Sequence, residues 1–230
     1  MDIIQLQCKK LKEKFYKPIN SFCLICFNKI DPLMKILNIN ICFDCLTKMK
    51  PSIKKIQLDD LSGIGIYPYQ DTIKDLLYQF KGCYDIALKD AFINHYAFLF
   101  RIIFFNYVIV FVPSYEEKNK IRGFNHVEEM FKCLKIKTCK CLIKTKDVKQ
   151  SSKNKVNRLE IKQYFSLNNN AYTLKDKNIL LVDDVLTTGS TLLACYELLK
   201  TIKPKKIKFL VMSYSCRKTL NFDDEKNKHT

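Results

Sequence analysis

The run Leu180-Leu181-Val182-Asp183-Asp184-Val185-Leu186-Thr187-Thr188-Gly189-Ser190-Thr191 constrains this chain more than any other stretch. It opens as an apolar strand, reaches two adjacent carboxylates, passes through a hydroxyl-rich loop around one glycine, and then starts a helix. In open α/β sheets ligands gather outside the carboxyl ends of the strands. A helix N-terminus there offers amide donors and a dipole that favours an anion. Asp183 and Asp184 stand where they can accept hydrogen bonds from two sugar hydroxyls. Thr187, Thr188, Gly189, Ser190 and Thr191 stand where they can donate to a phosphate. Each piece alone also suits an ordinary turn and helix cap. Their order and spacing together point to a ribose that carries a 5'-phosphate.

A second pattern lies near the N-terminus. Cys23-Leu24-Ile25-Cys26 is followed, fifteen residues later, by Cys42-Phe43-Asp44-Cys45. Each C-x2-C is a tight turn that aims two sulfurs at one point, and two such turns complete a tetrahedron with no open position. Zn2+ bound by Cys23, Cys26, Cys42 and Cys45 in a structural ribbon is the leading expectation; an iron–sulfur cluster or a redox dithiol pair are the alternatives. The chain has eleven cysteines and no basic stretch before an apolar one at Met1-Asp2-Ile3-Ile4-Gln5. That combination points to a reducing cytoplasm, where paired cysteines bind metal more often than they form disulfides.

At 230 residues the chain can bury a full core, and one domain with a small appendage is expected. Forty Lys and Arg against 23 Asp and Glu give a formal charge of +17. Such a surface attracts polyanions, although lysines also serve simply to solvate a surface. The segment from Ala97 to Val112 is the most membrane-like, but it is short and interrupted by Arg101 and Asn106. No membrane insertion is expected; the segment reads as a helix end followed by a core strand.

Along the chain, residues 1–18 pattern as an amphipathic basic helix, 19–50 as the ribbon with a hairpin over Ile30–Ile41 turning at Asp31-Pro32, and Pro51–Asp60 as a polar linker. An α/β domain spans 60–216. Its expected elements are a strand at Ile64–Tyr67, a helix at Asp71–Phe80 capped by Asp71, a second helix over about Tyr84–Phe104, and a buried strand at Tyr107–Val112. A helix near Asn125–Leu134, with Asn125 as cap, and a short strand at Cys141–Ile143 follow. Next come a helix over Val156–Gln163, the motif strand Asn178–Val182, a helix Ser190–Ile202 and a last strand Ile207–Met212. Residues 217–230 form a charged tail expected to be disordered. Strands alternating with helices predict a parallel sheet with both faces covered.

The acidic pair with its hydroxyl loop resembles the PRPP-binding motif of type I phosphoribosyltransferases. That resemblance implies that Asp183 and Asp184 hold the ribose hydroxyls and that Val185, Leu186, Thr187, Thr188, Gly189, Ser190 and Thr191 wrap the 5'-phosphate, with Mg2+ accompanying PRPP. Further elements narrow it. The four-cysteine ribbon is followed by Lys81-Gly82, a strand ending in Pro113-Ser114, Arg122-Gly123-Phe124-Asn125, Gln150 with Arg158, and then the PRPP motif. This order is similar to the ComF family, phosphoribosyltransferase-like proteins associated with natural competence. The resemblance covers about Phe22 to Ser215. It implies a diphosphate turn at Pro113 and Ser114, and makes Lys81, Arg122 and Arg158 the candidate diphosphate cations. Family members often carry proline at the position of Phe111, glutamine at His126 and asparagine at Ile161. His126 is weighed as a general base against a capping or surface histidine. Two functions follow as expectations. One is phosphoribosyl transfer from PRPP to an acceptor that the residues do not name. The other is a non-enzymatic competence factor that binds single-stranded DNA or a DNA-processing partner.

Overall fold

A computed structural model describes residues 22–36, 39–145, 163–215 and 221–222. The cysteine-rich segment carries two short helices, α1 (Pro32–Ile36) and α2 (Phe43–Lys48). An antiparallel pair follows, β1 (Lys54–Leu58) and β2 (Leu61–Pro68), then α3 (Asp71–Lys81), α4 (Lys89–Phe92) and α5 (Ala97–Ile103). Next come β3 (Tyr107–Phe111), α6 (Glu116–Arg122), α7 (His126–Phe131), β4 (Thr138–Cys139), β5 (Leu142–Lys144) and β6 (Phe165–Leu167). The chain continues through β7 (Asn178–Leu186), α8 (Ser190–Lys200), β8 (Lys206–Tyr214) and β9 (Asn221–Phe222).

Seven strands form one sheet in the order β4-β3-β7-β8-β2-β1-β9, and β5 pairs with β6 apart from it. The five strands from β4 to β2 are parallel, while β1 and β9 add an antiparallel edge. The acidic-motif strand β7 is thus central, hydrogen-bonded on both sides, which explains its unbroken apolar run.

Side chains alternate across β7 and feed two cores. Leu180 and Val182 join the side built on α3, α4, α5 and α7. Ile179 and Leu181 join the side built on α8, β5 and β6. Helix α3 shows how the sequence specifies this. Ile73, Leu76, Leu77 and Phe80 recur at helical spacing and all are buried, each contributing about 1.5–3 kcal/mol. The cysteine-rich segment is continuous with the first core: Cys23, Ile30, Met34, Ile41, Cys45 and Met49 pack in the same cluster as Ile66 and Phe92.

The structure corrects several sequence expectations. The hairpin over Ile30–Ile41 is instead helix α1. Pro32 stands at its first position, where its missing N–H costs nothing, and the Asp31 carboxylate accepts from the Leu33 amide at 2.7 Å. The linker Pro51–Asp60 contains β1, whose Ile56 and Leu58 turn inward between exposed neighbours. The long helix over Tyr84–Phe104 is broken into 3-10 turns and the short helices α4 and α5. The Phe92 carbonyl is taken by the Tyr67 hydroxyl at 3.0 Å, and the α-ladder stops there. Helix α3 begins at Asp71, but no side chain caps it. Helix α6, absent from the sequence reading, precedes Gly123. The motif strand does not stop at Val182: Asp183, Val185 and Leu186 still pair with Val211, Ser213 and Tyr214. The helices expected over 1–18 and Val156–Gln163 and the tail over 217–230 lie wholly or almost wholly outside the described residues, as do Gln150 and Arg158. Among the described residues no helix is long and apolar enough to cross a membrane.

Candidate functional site

The parallel strands end on one edge. Val112 continues β3 by donating to Val182 O at 2.9 Å, which sets Pro113 and Ser114 beside the acidic pair. Tyr69 donates to Tyr214 O and Ser215 to Leu186 O, each at 2.8 Å, and this gathers the ends of β2, β8 and β7.

Beyond β7 the loop turns sharply. Gly189 has φ +78°, a conformation that favours glycine, and a Cβ there would meet Leu58 Cδ1 at 3.0 Å and press that side chain aside by a few tenths of an ångström. Thr188 Oγ1 lies 3.0 Å from Ser190 Oγ and 3.4 Å from the Ser190 amide. No side chain caps α8. Asp183 and residues 185–192 line a small cavity of ≈ 40 Å3 at this helix start. One acid, the hydroxyls of the loop and the opening of a helix therefore share a single depression.

The second acid faces elsewhere. Asp184 is 8% exposed, on the side of the sheet that carries α3 and α7. Its Oδ2 lies 2.6 Å from Lys81 Nζ at the end of α3 and 3.2 Å from His126 Nε2 at the start of α7. Asn125 fixes that start, its Oδ1 accepting from the amides of Val127 and Glu128. Arg122 Nη1 lies 2.8 Å from His126 Nδ1, and Arg122 Nε donates to the Lys81 carbonyl at 3.1 Å. Ser114 Oγ donates to Asn119 Oδ1 at 2.8 Å, which ties the end of β3 to α6.

Burial opposes both carboxylates, with different outcomes. For Asp184 the hydrogen bond from His126 and the Lys81 ammonium outweigh burial and hold the carboxyl well below its usual range. For Asp183 burial and the neighbouring Asp184 charge push the carboxyl well up. Burial pulls the Lys81 ammonium down, but the Asp184 charge prevails and raises it. Burial lowers Arg122.

Of the residues singled out by sequence, the structure brings Asp184, Lys81 and Arg122 into one hydrogen-bonded group, and Asp183 into the loop cavity. Pro113 and Ser114 sit on the same sheet edge. His126 is neither a surface nor a capping residue: Asn125 caps the helix, and His126 bridges Arg122 and Asp184. A histidine one residue after a cap, at the turn where a helix meets the sheet, carried a faint signal for this. Asn119 was missed altogether; nothing in its local sequence marks it.

The four cysteines form a separate cluster. Their sulfurs all lie within 4.8 Å of one another, and Cys26 Sγ is 3.6 Å from Cys42 Sγ. A tetrahedral ion with metal–sulfur bonds of about 2.3 Å needs edges of about 3.8 Å. Burial raises the Cys23 thiol, but backbone amides of the knuckles outweigh it and bring it down to about 7. Burial among the other sulfurs pushes Cys45 up. The donor set fits a closed metal site.

A family model described as the phosphoribosyl transferase domain matches residues 123–227. The competence protein ComFC of Bacillus subtilis (strain 168) is 31% identical over 157 residues, which cover 66% of this chain and 62% of that protein. The chain thus spans less than two thirds of that relative's length. ComFC of Streptococcus pneumoniae (strain ATCC BAA-255 / R6) is 28% identical over 175 residues, covering 73% of this chain and 77% of the relative. Solved structures matched include a hypoxanthine-guanine-xanthine phosphoribosyltransferase (14% identity, TM-score 0.30, 60% of this chain and 65% of that one). A Staphylococcus aureus hypoxanthine phosphoribosyltransferase also matches (13% identity, TM-score 0.31, 60% and 62%). The four-cysteine cluster ahead of a phosphoribosyl transferase domain match, together with the two ComFC relatives, supports a ComF-family, phosphoribosyltransferase-like protein.

Proposed function

We propose that the chain binds PRPP, or a closely related sugar phosphate, at the carboxyl edge of its sheet and serves in natural competence, as the names of its relatives suggest. One observation carries this reading: Asp183 and the hydroxyl loop 187–191 line one cavity at the start of α8. The loop hydroxyls and the first-turn amides of α8 would hold the 5'-phosphate. Asp183 would accept from one ribose hydroxyl, and Asp184 from the other as Lys81 leaves it. Lys81 and Arg122 would then meet the diphosphate near Pro113 and Ser114, with Arg158 as a third cation. Mg2+, held by the ligand's own oxygens, would offset the charge that builds on the leaving diphosphate. Cys23, Cys26, Cys42 and Cys45 would hold a structural Zn2+.

Phosphoribosyl transfer is the reaction this pocket suits. Positive charge grows on the sugar as the C1–oxygen bond breaks, and fixed cations around the diphosphate stabilise that change. Calorimetry with PRPP and Mg2+ tests the pocket, and Asp183→Asn with Asp184→Asn should abolish the heat. Diphosphate release with a panel of bases and amines tests turnover. No heat from the wild-type protein sinks the reading.

A specific observation favours the second reading, a non-enzymatic factor that binds single-stranded DNA. On the opposite edge of the sheet a cavity of ≈ 390 Å3 is lined by Lys137, Lys140 and Lys177 with Thr138, Asn170 and Thr173. Lysines beside hydrogen-bonding side chains suit a phosphate backbone. Binding of an oligonucleotide that weakens steeply with salt, with no diphosphate release for any acceptor, would select this reading.

A further inference from the structure

We infer that His126 couples diphosphate binding to the uptake of one proton. The inference rests on the sugar-phosphate reading above and names how that site is regulated by pH.

The argument begins with donors and acceptors. Arg122 Nη1 lies 2.8 Å from His126 Nδ1, and a guanidinium has only N–H groups to offer. Nδ1 is therefore the acceptor in this pair and carries no proton. The ring proton sits on Nε2, which faces Asp184 Oδ2 at 3.2 Å. The chain of hydrogen bonds runs from Arg122 through a neutral His126 to Asp184. As long as Arg122 stays, its N–H occupies the Nδ1 lone pair.

Arg122 is the member of this chain placed to leave. It ends α6, followed by Gly123 at φ +80°, and it is only partly buried. Its other bonds are to the Lys81 carbonyl at 3.1 Å and, at 3.4 Å, to Asn119 Oδ1. When Arg122 turns to a diphosphate, His126 Nδ1 loses its donor while it stays 7% exposed. A buried acceptor left bare is costly. Lys81, which shares the same Asp184 oxygen at 2.6 Å, leaves too if it meets the ligand. Asp184 is then without a cation. A proton taken from a buffer acid onto Nδ1 repairs the loss at Asp184, because it makes His126 the cationic partner of that carboxylate through the Nε2–H bond that already exists. It also turns Nδ1 into a donor, for which an oxygen of the incoming diphosphate, drawn to the same place as Arg122, is the acceptor.

The other charges near this ring are committed elsewhere. On its own helix, Glu129 is bound by Lys89 of α4 at 2.9 Å and by Lys132 at 3.3 Å, and Glu128 by Lys140 at 2.7 Å. On α3 Lys74 pairs with Asp71 at 3.6 Å, and on α6 Lys120 pairs with Glu116 at 3.3 Å. Asp75 of α3, Asp90 of α4, Glu117 and Lys118 of α6 and Asp183 of β7 complete the charged groups of these elements.

Glutamine supplies the natural control. Its amide oxygen can accept from Arg122 and its amide nitrogen can donate to Asp184, so it reproduces the neutral histidine but cannot titrate. The test is calorimetry of the full chain with PRPP and Mg2+ at pH 7.5 in buffers of unlike ionisation enthalpy, such as phosphate and Tris. The wild-type enthalpy should differ between buffers by the uptake of up to one proton, and His126→Gln should lose that difference. Comparing the two proteins cancels any proton that the ligand's own phosphates exchange. As a second measurement on the wild type, 15N spectra of the imidazoles should show His126 as the neutral Nε2–H form without ligand and as imidazolium with it. A wild-type enthalpy independent of buffer, or an equal dependence in His126→Gln, overturns the coupling alone. No heat from PRPP in any buffer overturns the coupling and the sugar-phosphate reading together.

Discussion

Lys81 Nζ and Asp184 Oδ2 meet at 2.6 Å although 103 residues separate them in sequence. The pair joins the end of α3 to the end of β7. It keeps one of the two motif acids neutralised. In the proposed site a sugar would have to displace this cation to use both acids, and the displaced ammonium would remain near the diphosphate.

The two acids should have opposite effects on stability. Asp184 is held below the usual carboxylate value of about 3.9, so it stabilises the fold above that pH and loses this as pH falls. Asp183 is raised, so its ionisation opposes folding as pH climbs through the unfolded value. At pH 7, Asp184→Asn should cost about 1–3 kcal/mol by leaving Lys81 poorly paired. Asp183→Asn should gain about 0.5–2 kcal/mol while losing ligand binding. Urea melts at pH 7, pH 4 and pH 2.5 check both: the Asp183→Asn gain should fall between pH 7 and pH 4, whereas the difference between wild type and Asp184→Asn should persist at pH 4 and shrink only below it.

Gly189→Ala should lower stability by about 1–2 kcal/mol, since an L-residue at positive φ is strained and its Cβ would press on Leu58. The hydroxyl loop would shift with it. Thermal melts give the first effect, and PRPP affinity, reduced at least tenfold, gives the second.

Loss of the proposed zinc should be felt beyond the cysteines. Their segment shares a continuous core with α3, α4 and β2. Cys26→Ser, or treatment with a strong chelator, should lower the temperature of one cooperative transition rather than split off a separate early one. Elemental analysis should find one zinc per chain before treatment. A two-step melt would mean that the segment folds as an independent unit.

Asn125→Ala should cost about 1 kcal/mol through the lost helix cap. Because the cap also sets where His126 enters the site, PRPP binding should weaken as well. Asn125→Asp should restore most of the stability, since aspartate caps equally well.

How much of this was legible in the sequence follows from the range of the forces involved. The motif strand, α3, β3 and α8 were readable because their apolar residues repeat locally. The four cysteines were readable because metal ligands need fixed spacing. Helix α1 was misread although Asp31 and Pro32 are a good helix start; an Asp-Pro pair between Ile30 and Leu33 looked like a hairpin turn. Strand β1 was hidden because Lys55 and Gln57 point to solvent between its buried residues, and its pairings with β2 and β9 are tertiary facts. The break at Phe92 depends on the Tyr67 hydroxyl, 25 residues away. In the site, the residue types were foreseen but not their partnerships. Lys81 was expected beside the diphosphate, and its pairing with Asp184 is a tertiary contact that local sequence does not show; for the burial of His126 the sequence held only a faint signal.

Consecutive residues of a strand look in opposite directions, and Asp183 and Asp184 are consecutive. One acid opens toward the layer of α8, and the other toward the layer that includes the cysteine segment. Any small molecule that grips both must bestride the rim of the sheet like a rider, with a leg on each flank. Such a molecule would register a shift in either flank, and occupancy of this rim becomes a gauge of how the two layers are set against each other.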